Sequence, residues 1–481
     1  GVIVMAEHST VNNNELLPIP YANRSAGKFS YFCMWIGIAV IIATFSLGGD
    51  GVSNIKLGWV ALACLLANIL CGFIMTLTGD VGVEHGITFP IFLRAPFGRI
   101  GSSIPLICRS ILGCIWFGIQ SYYGATAMTY IIAYFTGFDN WFIIYLLFVF
   151  VQTFNVAMGF RAIEKFSNFA APCIVAIALW MMYALFGQAE AAGIDVWNSV
   201  VVPGGGVTTT ATLSIHVFVL VFFTNLSYWS TTSADSQTLA RNTKAPKNER
   251  NWFKRNTVSL IGHCIALPIT ETFCVVIGGI SMLVAGNWNP VEVLQKTASG
   301  VALLILLLVI VLAQWSTNAA ANMMLPAVTL YNIFPKFLSY KKAVWLCGII
   351  AAISFPWEIM AKIGGFLNVM SSIYAPIAGI CVVDYYFIRK RRLNVPELYD
   401  DKGQYFYGNG WNIPGMISLI LGCASTFVLP NYAYGVGFVV GGIVYYALSR
   451  NWFMKYPQPE ITGKDMDYLG ISAGREWKVE L

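Results

Sequence analysis

The sequence predicts an all-α polytopic membrane protein of twelve transmembrane helices, and three observations carry that reading. The first is composition. Of 481 residues, 57% are hydrophobic and 15% aromatic, only 11% are charged, and mean hydropathy is +0.66. Soluble domains carry about 25% charged residues. The second is length. Apolar runs close to the ~20 residues that cross a bilayer recur at 29–49, 57–79, 102–135, 141–160, 166–187, 209–230, 257–286, 299–329, 343–357, 364–388, 412–429 and 432–449. The third is the placement of positive charge. With the N-terminus inside, only Lys56, Lys296 and Lys362 of the 29 Lys and Arg fall in outer loops, and Arg109 falls within helix 3. The remainder lie in inner segments, a bias that places both termini in the cytoplasm of a cell-membrane protein.

The elements follow in order. Residues 1–28 form a mainly polar cytoplasmic segment with no visible cleavable signal, and Met5 reads as the natural start. Helices 1–5 (29–187) form a first repeat and helices 6–10 (209–388) a second. Helices 11–12 (412–449) follow, and 450–481 is a cytoplasmic tail. Two correspondences at an offset of five helices suggest the repeats. Helix 1 carries Gly37 and then Gly48-Gly49. Helix 6 passes through Thr224-Asn225-Leu226-Ser227, where strong helix formers give way. Both read as interrupted helices of the kind that frame a midplane site. Helices 3 and 8 each carry a polar cluster at mid-depth, and both are long enough to tilt.

In helix 3 the cluster is Trp116-Phe117-Gly118-Ile119-Gln120. Trp116 and Gln120 are four apart and share a face. An indole plate with an amide one turn away suits a flat, amide-bearing ring: the ring stacks, and the amide both donates and accepts. In helix 8 the apolar run ends abruptly at Gln314-Trp315-Ser316-Thr317-Asn318-Ala319-Ala320-Ala321-Asn322. Ala313, Ser316 and Thr317 share a face, and two hydroxyls beside a backbone carbonyl suit a hard, weakly held cation such as sodium. Asn318 and Asn322 form a second, amide-rich face. Ser, Thr and Asn beside small residues also serve as helix–helix glue in membranes, and that reading stays open for this stretch.

The remaining polar groups are weaker candidates. Arg109 reads as structural, snorkelling or paired with a carboxylate. Glu271 in helix 7 and Asp384 in helix 10 are ionisable groups within apolar runs, and either could carry a proton. Asp384 is expected at the cytoplasmic edge beside Arg389. His216 and His263 read as core histidines. Eleven Cys lie mostly inside apolar runs without paired spacing, as buried thiols do. Four His without an HExxH pattern argue against a zinc enzyme, and no Walker motif points to ATP. The net charge of +6 reflects topology and contact with lipid headgroups rather than nucleic acid.

The ordered series from Pro20-Tyr21-Ala22-Asn23-Arg24-Ser25 to Tyr446 resembles the nucleobase–cation symporter-1 family. Its most specific pieces are Trp116 to Gln120, Trp315 to Asn322, and Asp384-Tyr385-Tyr386-Phe387. The resemblance implies a LeuT-type five-plus-five inverted repeat with two extra helices. It also implies cation-coupled import of a small planar N-heterocycle by alternating access, by a monomer, without enzymatic chemistry or a cofactor beyond the coupling ion. Substrate contacts carry over to Trp116, Gln120 and Asn322, with Asn318 alongside. Sodium ligands carry over to the carbonyls of Gly37, Val40 and Ala313 and the hydroxyls of Ser316 and Thr317. Two positions depart from the family pattern. Its second stacking Trp falls at Leu226, flanked by Asn225, and its polar helix 1 residue falls at Ile41. The expected pocket is therefore less aromatic, and a nucleobase or allantoin fits as well as a hydantoin. The hydroxyl pair favours sodium, with Glu271 as the proton alternative; an uncoupled facilitator of the same substrate class is the other reading.

Overall fold

A computed structural model describes residues 16–158, 162–247, 249–297, 300–452, 456 and 458; the side chains of 162–171, 297, 302, 313, 316, 317 and 320 lie outside that description. Most of the polar N-terminal segment and nearly all of the tail expected after 450 are therefore outside the described residues. The chain is almost wholly helical. Its β-structure, among the described residues, is a two-residue ribbon pairing β1 (Val200–Val201) with β2 (Val207–Thr208).

Six helices are long and apolar enough to cross a membrane among the described residues. They are Leu57–His85, Ser103–Thr136, Pro172–Ala191, Thr257–Ala285, Ile363–Ile388 and Pro430–Trp452. A bent pair, Lys28–Ala39 with Ile42–Val52 at 63°, makes a seventh if it is one span. Shorter apolar helices lie between them. We label those the site uses in chain order: α1 (Lys28–Ala39), α2 (Ile42–Val52), α3 (Leu57–His85), α4 (Ser103–Thr136), α5 (Trp141–Ala157), α6 (Ala162–Ala191), α7 (Ile215–Tyr228), α8 (Ser230–Asp235), α9 (Thr257–Ala285), α10 (Val301–Ala319) and α11 (Ile363–Ile388). One face of α3 presents Leu62, Leu66, Ile69, Leu70 and Phe73 outward at helical spacing, while Cys64, Ala67, Cys71 and Met75 are buried. An exposed apolar stripe on a helix whose opposite face is also apolar is what lipid solvates.

The break in the first span corrects the sequence reading. Gly37 lies inside α1 and Gly48-Gly49 inside α2; the chain leaves helical geometry at Val40 (φ −82°, ψ 83°) and Ile41 (φ −127°, ψ 152°). Thr44 supports this break, because its hydroxyl donates to the Ala39 carbonyl at 3.2 Å, as the break leaves that end of α1 without its next helical turn. Gly48 has another task. A Cβ there would sit 1.8 Å from the Val275 carbonyl oxygen, so glycine lets α2 and α9 touch backbone to backbone. The second interrupted helix was expected near Asn225 and breaks a turn later, at Trp229 (φ −99°, ψ 15°), between α7 and α8. It starts at Ile215 rather than 209, and His216 is exposed beside the Tyr432 hydroxyl rather than in the core. His263 is buried, with Tyr31 and Thr76 on its two ring nitrogens at 2.9 and 3.0 Å.

Three helices contain a π turn, among the described residues: Ile261–Ala266 within α9, Ala320–Met324 directly after α10, and Val383–Ile388 closing α11. After the second, helix resumes at Leu325–Ile333. Buried charges gather at one end of the bundle. Asp80 accepts from Arg255 (2.9 Å from Nε), Asn256 (2.8 Å) and the Tyr386 hydroxyl (3.1 Å), and Glu84 lies 3.3 Å from the same guanidinium. Asp384 pairs with Arg389 at 2.9 Å and accepts from the Tyr445 hydroxyl at 2.6 Å. Arg109 pairs with Asp235 at 2.7 Å, the carboxylate partner its place in an apolar run requires.

Candidate functional site

The site is built where α4 meets the helix breaks and the polar end of α10. Trp116 projects from the middle of α4 and is partly buried. Its ring meets Tyr228 edge-on at 5.6 Å and Phe366 of α11 at 5.8 Å. Its indole N–H points at the Met370 sulfur at 3.3 Å. Tyr228 is the last residue of α7, so the break at Trp229 holds it against the plate. The Tyr228 hydroxyl lies 3.2 Å from that of Thr44, the residue that supports the α1–α2 break. Both breaks and the indole plate are thus joined through two side chains. Trp229 itself packs edge-on against Trp35 of α1 at 6.2 Å.

The amides of α10 and of the π turn after it form a chain. Asn322 donates to the Asn318 side-chain oxygen at 2.9 Å. Asn318 donates to the Phe117 carbonyl at 3.0 Å and to the Ser121 hydroxyl at 3.2 Å, and Gln152 of α5 donates to Ser121 at 3.0 Å. Asn318 is completely buried, so its amide is spent binding α10 to α4; here the glue reading describes what the residue does. Its effect is to fix Asn322 beside α4. Gln120, one residue before Ser121, keeps its side-chain oxygen without a partner although the residue is only 7% exposed. Asn225 donates to the Val221 carbonyl at 2.8 Å, and its own oxygen is also unpartnered. Leu226 and Ile41 are both buried and apolar.

The expected ion ligands are placed in part. Val40 stands at the α1–α2 break and Gly37 one turn earlier in α1. The backbone of α10 runs through Ala313, Ser316 and Thr317, whose side chains lie outside the described residues. A small cavity of ≈ 30 Å³ lies between the break and α10; its lining is apolar (Val40, Ile41, Phe45, Ile177, Met181 and Ile310 among others) except for Gln314. The break and α10 therefore face each other across it. Gln314 adds an unpartnered side-chain oxygen to that lining.

Sequence reasoning missed Tyr228, Phe366 and Met370. A tyrosine next to a Trp, or a Phe and Met in an apolar run, carries no signal apart from lipid contact or core packing.

Interrupted helices around a cluster of aromatic and amide side chains define the class: a multi-pass membrane transporter. The family profile described as a permease for cytosine/purines, uracil, thiamine, allantoin matches residues 18–453, and the chain belongs to this family. It is 27% identical to the hydantoin permease of Microbacterium maritypicum, over 96% of this chain and 94% of that protein. It is 24% identical to the allantoin permease of Bacillus subtilis, over 92% and 94% respectively. Among solved structures it is similar to Mhp1, a nucleobase-cation-symport-1 family transporter, in a closed conformation with bromovinylhydantoin bound (TM-score 0.81, 26% identity, 93% of this chain and 97% of that one). The inward-facing conformation of Mhp1 gives a TM-score of 0.84 at 25% identity, over 94% and 96%. The protein is a permease and not an enzyme.

Proposed function

We propose that this permease is a secondary active symporter that imports a small planar N-heterocycle, a nucleobase, allantoin or hydantoin, together with sodium. One observation supports this above the others: Tyr228 and Thr44 join both helix breaks to the Trp116 plate, next to amides that are unsatisfied or held ready. The heterocycle stacks on Trp116, and Gln120 and Asn322 pair with its ring N–H and C=O groups. Leu226, Ile41 and Asn225 bound a pocket less aromatic than the family pattern implies. Sodium sits between the carbonyls of Gly37 and Val40 and the Ala313, Ser316 and Thr317 positions, across the cavity that Gln314 lines. Sodium then holds the break against α10, and the linkage is reciprocal: sodium tightens substrate and substrate tightens sodium.

In the same proposal the chain spans the cell membrane twelve times as a monomer, with repeats at 29–187 and 209–388, helices 412–449 added, and both termini cytoplasmic. Alternating access moves one repeat element against the other around the fixed site. The test is tryptophan-fluorescence binding with uracil, cytosine, hypoxanthine, allantoin and hydantoin, in sodium and in choline. A hit that tightens in sodium is expected, and Thr317→Ala should abolish that sodium response. If transport persists in Thr317→Ala with its sodium dependence intact, the ion site is misplaced.

A further inference from the structure

Gln314 is neither a substrate contact nor an ion ligand in the site as proposed above. The seam between α4 and α10 locates it. A Cβ at Gly113 would lie 3.6 Å from the Asn322 carbonyl oxygen, and a Cβ at Gly124 would lie 3.3 Å from the Gln314 Cβ. Between these two levels Asn318 donates to the Phe117 carbonyl and the Ser121 hydroxyl. The two helices therefore run in opposite directions, and Asn322, Asn318 and Gln314 meet α4 at successive turns. Gln120 precedes Ser121 and so stands near the Asn318 level. Gln314 stands one turn, about 5.4 Å, farther toward the C-terminal end of α4.

At that level Gln314 is 3% exposed, and its side-chain oxygen has no partner. It is the polar side chain in the lining of the ≈ 30 Å³ cavity, whose other walls are apolar: Ile41 and Phe45 from the first break, Ile177 and Met181 one turn apart on α6, and Ile310 one turn earlier on α10. The chemistry of the lining selects the occupant. Water needs two to four polar partners and finds one polar side chain here. A hydrocarbon group suits the walls but leaves the amide bare. A single amino or carbonyl group uses one half of the amide. A primary-amide end group uses both: it and Gln314 exchange two hydrogen bonds, N–H to O in each direction. Such reciprocal pairing counts for most where the walls supply nothing else.

We propose that Gln314 is a specificity-determining residue of the substrate site, and that its cavity takes an amide-ended arm, such as a ureido group, carried by the heterocycle. The ring stacks on Trp116 and pairs with Gln120 and Asn322. The arm passes Gln120 and pairs with Gln314. An arm two or three bonds long, with a hydrogen bond of about 2.9 Å at its end, spans the one-turn step between the two amides. The ion and the arm do not compete, because the proposed sodium ligands do not include Gln314. This inference rests on the heterocycle reading above and names the substituent that the heterocycle carries.

The test compares two arms on one ring. Allantoin is a hydantoin ring with a ureido arm, and isobutyl-substituted hydantoin carries a hydrocarbon arm of the same shape. Both are titrated by tryptophan fluorescence against the full-length protein in sodium. The expected result is a preference for allantoin of at least about tenfold, which falls to about one in Gln314→Leu. A residue that only supported the fold would change both affinities and leave their ratio alone. If Gln314→Leu does not fold, Gln314→Met serves, with the same expected loss of preference. Equal binding of the two compounds to the unmodified protein overturns the proposal, since the cavity then reads size and not the amide. A preference that survives in Gln314→Leu or Gln314→Met also overturns it. Binding of other rings of the panel without either of these two overturns this inference and leaves the heterocycle reading standing, whereas a panel in which nothing binds overturns both.

Discussion

At one end of the bundle Asp80 accepts from Arg255, Asn256 and Tyr386, while in the middle Gln120, Asn225 and Gln314 each keep a side-chain oxygen without a partner. Both sets are buried, and both would be costly if left bare in hydrocarbon. The difference is who satisfies them. At the Asp80 end the protein supplies the partners itself, from helices far apart in sequence, and the result is a fixed clasp. In the middle the acceptors wait, which suits groups whose partner arrives and leaves. Asn318 marks the boundary: it lies in the same polar stretch as Gln314, yet its donors are used within the protein, on Phe117 and Ser121.

The comparison breaks first at the clasp. Arg255→Ala strands Asp80 and Glu84 in the interior and should destabilise the protein by about 3–5 kcal/mol. A fall in melting temperature in detergent, with or without substrate, is the measure. The middle should behave oppositely. Gln120→Ala removes an acceptor that holds nothing in the protein, so melting should hardly change while heterocycle affinity falls by about 1–3 kcal/mol, roughly five- to 150-fold. If Gln120→Ala melts as early as Arg255→Ala, the distinction between clasp and waiting acceptor is lost. Asn318→Ala is the sharpening case. It should lower melting by the worth of two buried hydrogen bonds, about 1–3 kcal/mol, and weaken binding only through Asn322. Smallest is Asn140→Ala, which removes the side-chain cap that accepts from the Ile143 N–H at 3.1 Å. It should cost about 1 kcal/mol of stability and leave binding unchanged in the same fluorescence assay.

The helical membrane class was legible because apolar runs and basic loops are local properties, readable without knowing what touches what. The sequence also singled out Trp116 and Gln120, four apart on one helix, and Asn318 and Asn322, four apart on another, and that spacing is itself the signal. The break at Val40–Ile41 was not legible. Glycine was the expected breaker, but Gly37 is accommodated in helix, Gly48 is used for close approach to α9, and the break is supported by Thr44, a β-branched residue with no breaker signature. Asp80 was missed for a related reason. Read alone it is a carboxylate just past an apolar run, and its meaning depends on Arg255, 175 positions away. Tyr228, Phe366 and Met370 gain theirs only when three helices enclose Trp116.

The π turn at Ala320–Met324 has an evolutionary consequence. Such a turn is one residue more than an α-helix needs, the trace of a single insertion held inside a helix. Each residue of α-helix accounts for about 100° of rotation. Removing Ala321 should therefore let regular helix run through while Leu325–Ile333 keeps nearly its present face, because the wide turn already absorbs that residue's share of rotation. Two relatives that differ by this one residue would need a gap in their alignment and yet present the same faces beyond Asn322.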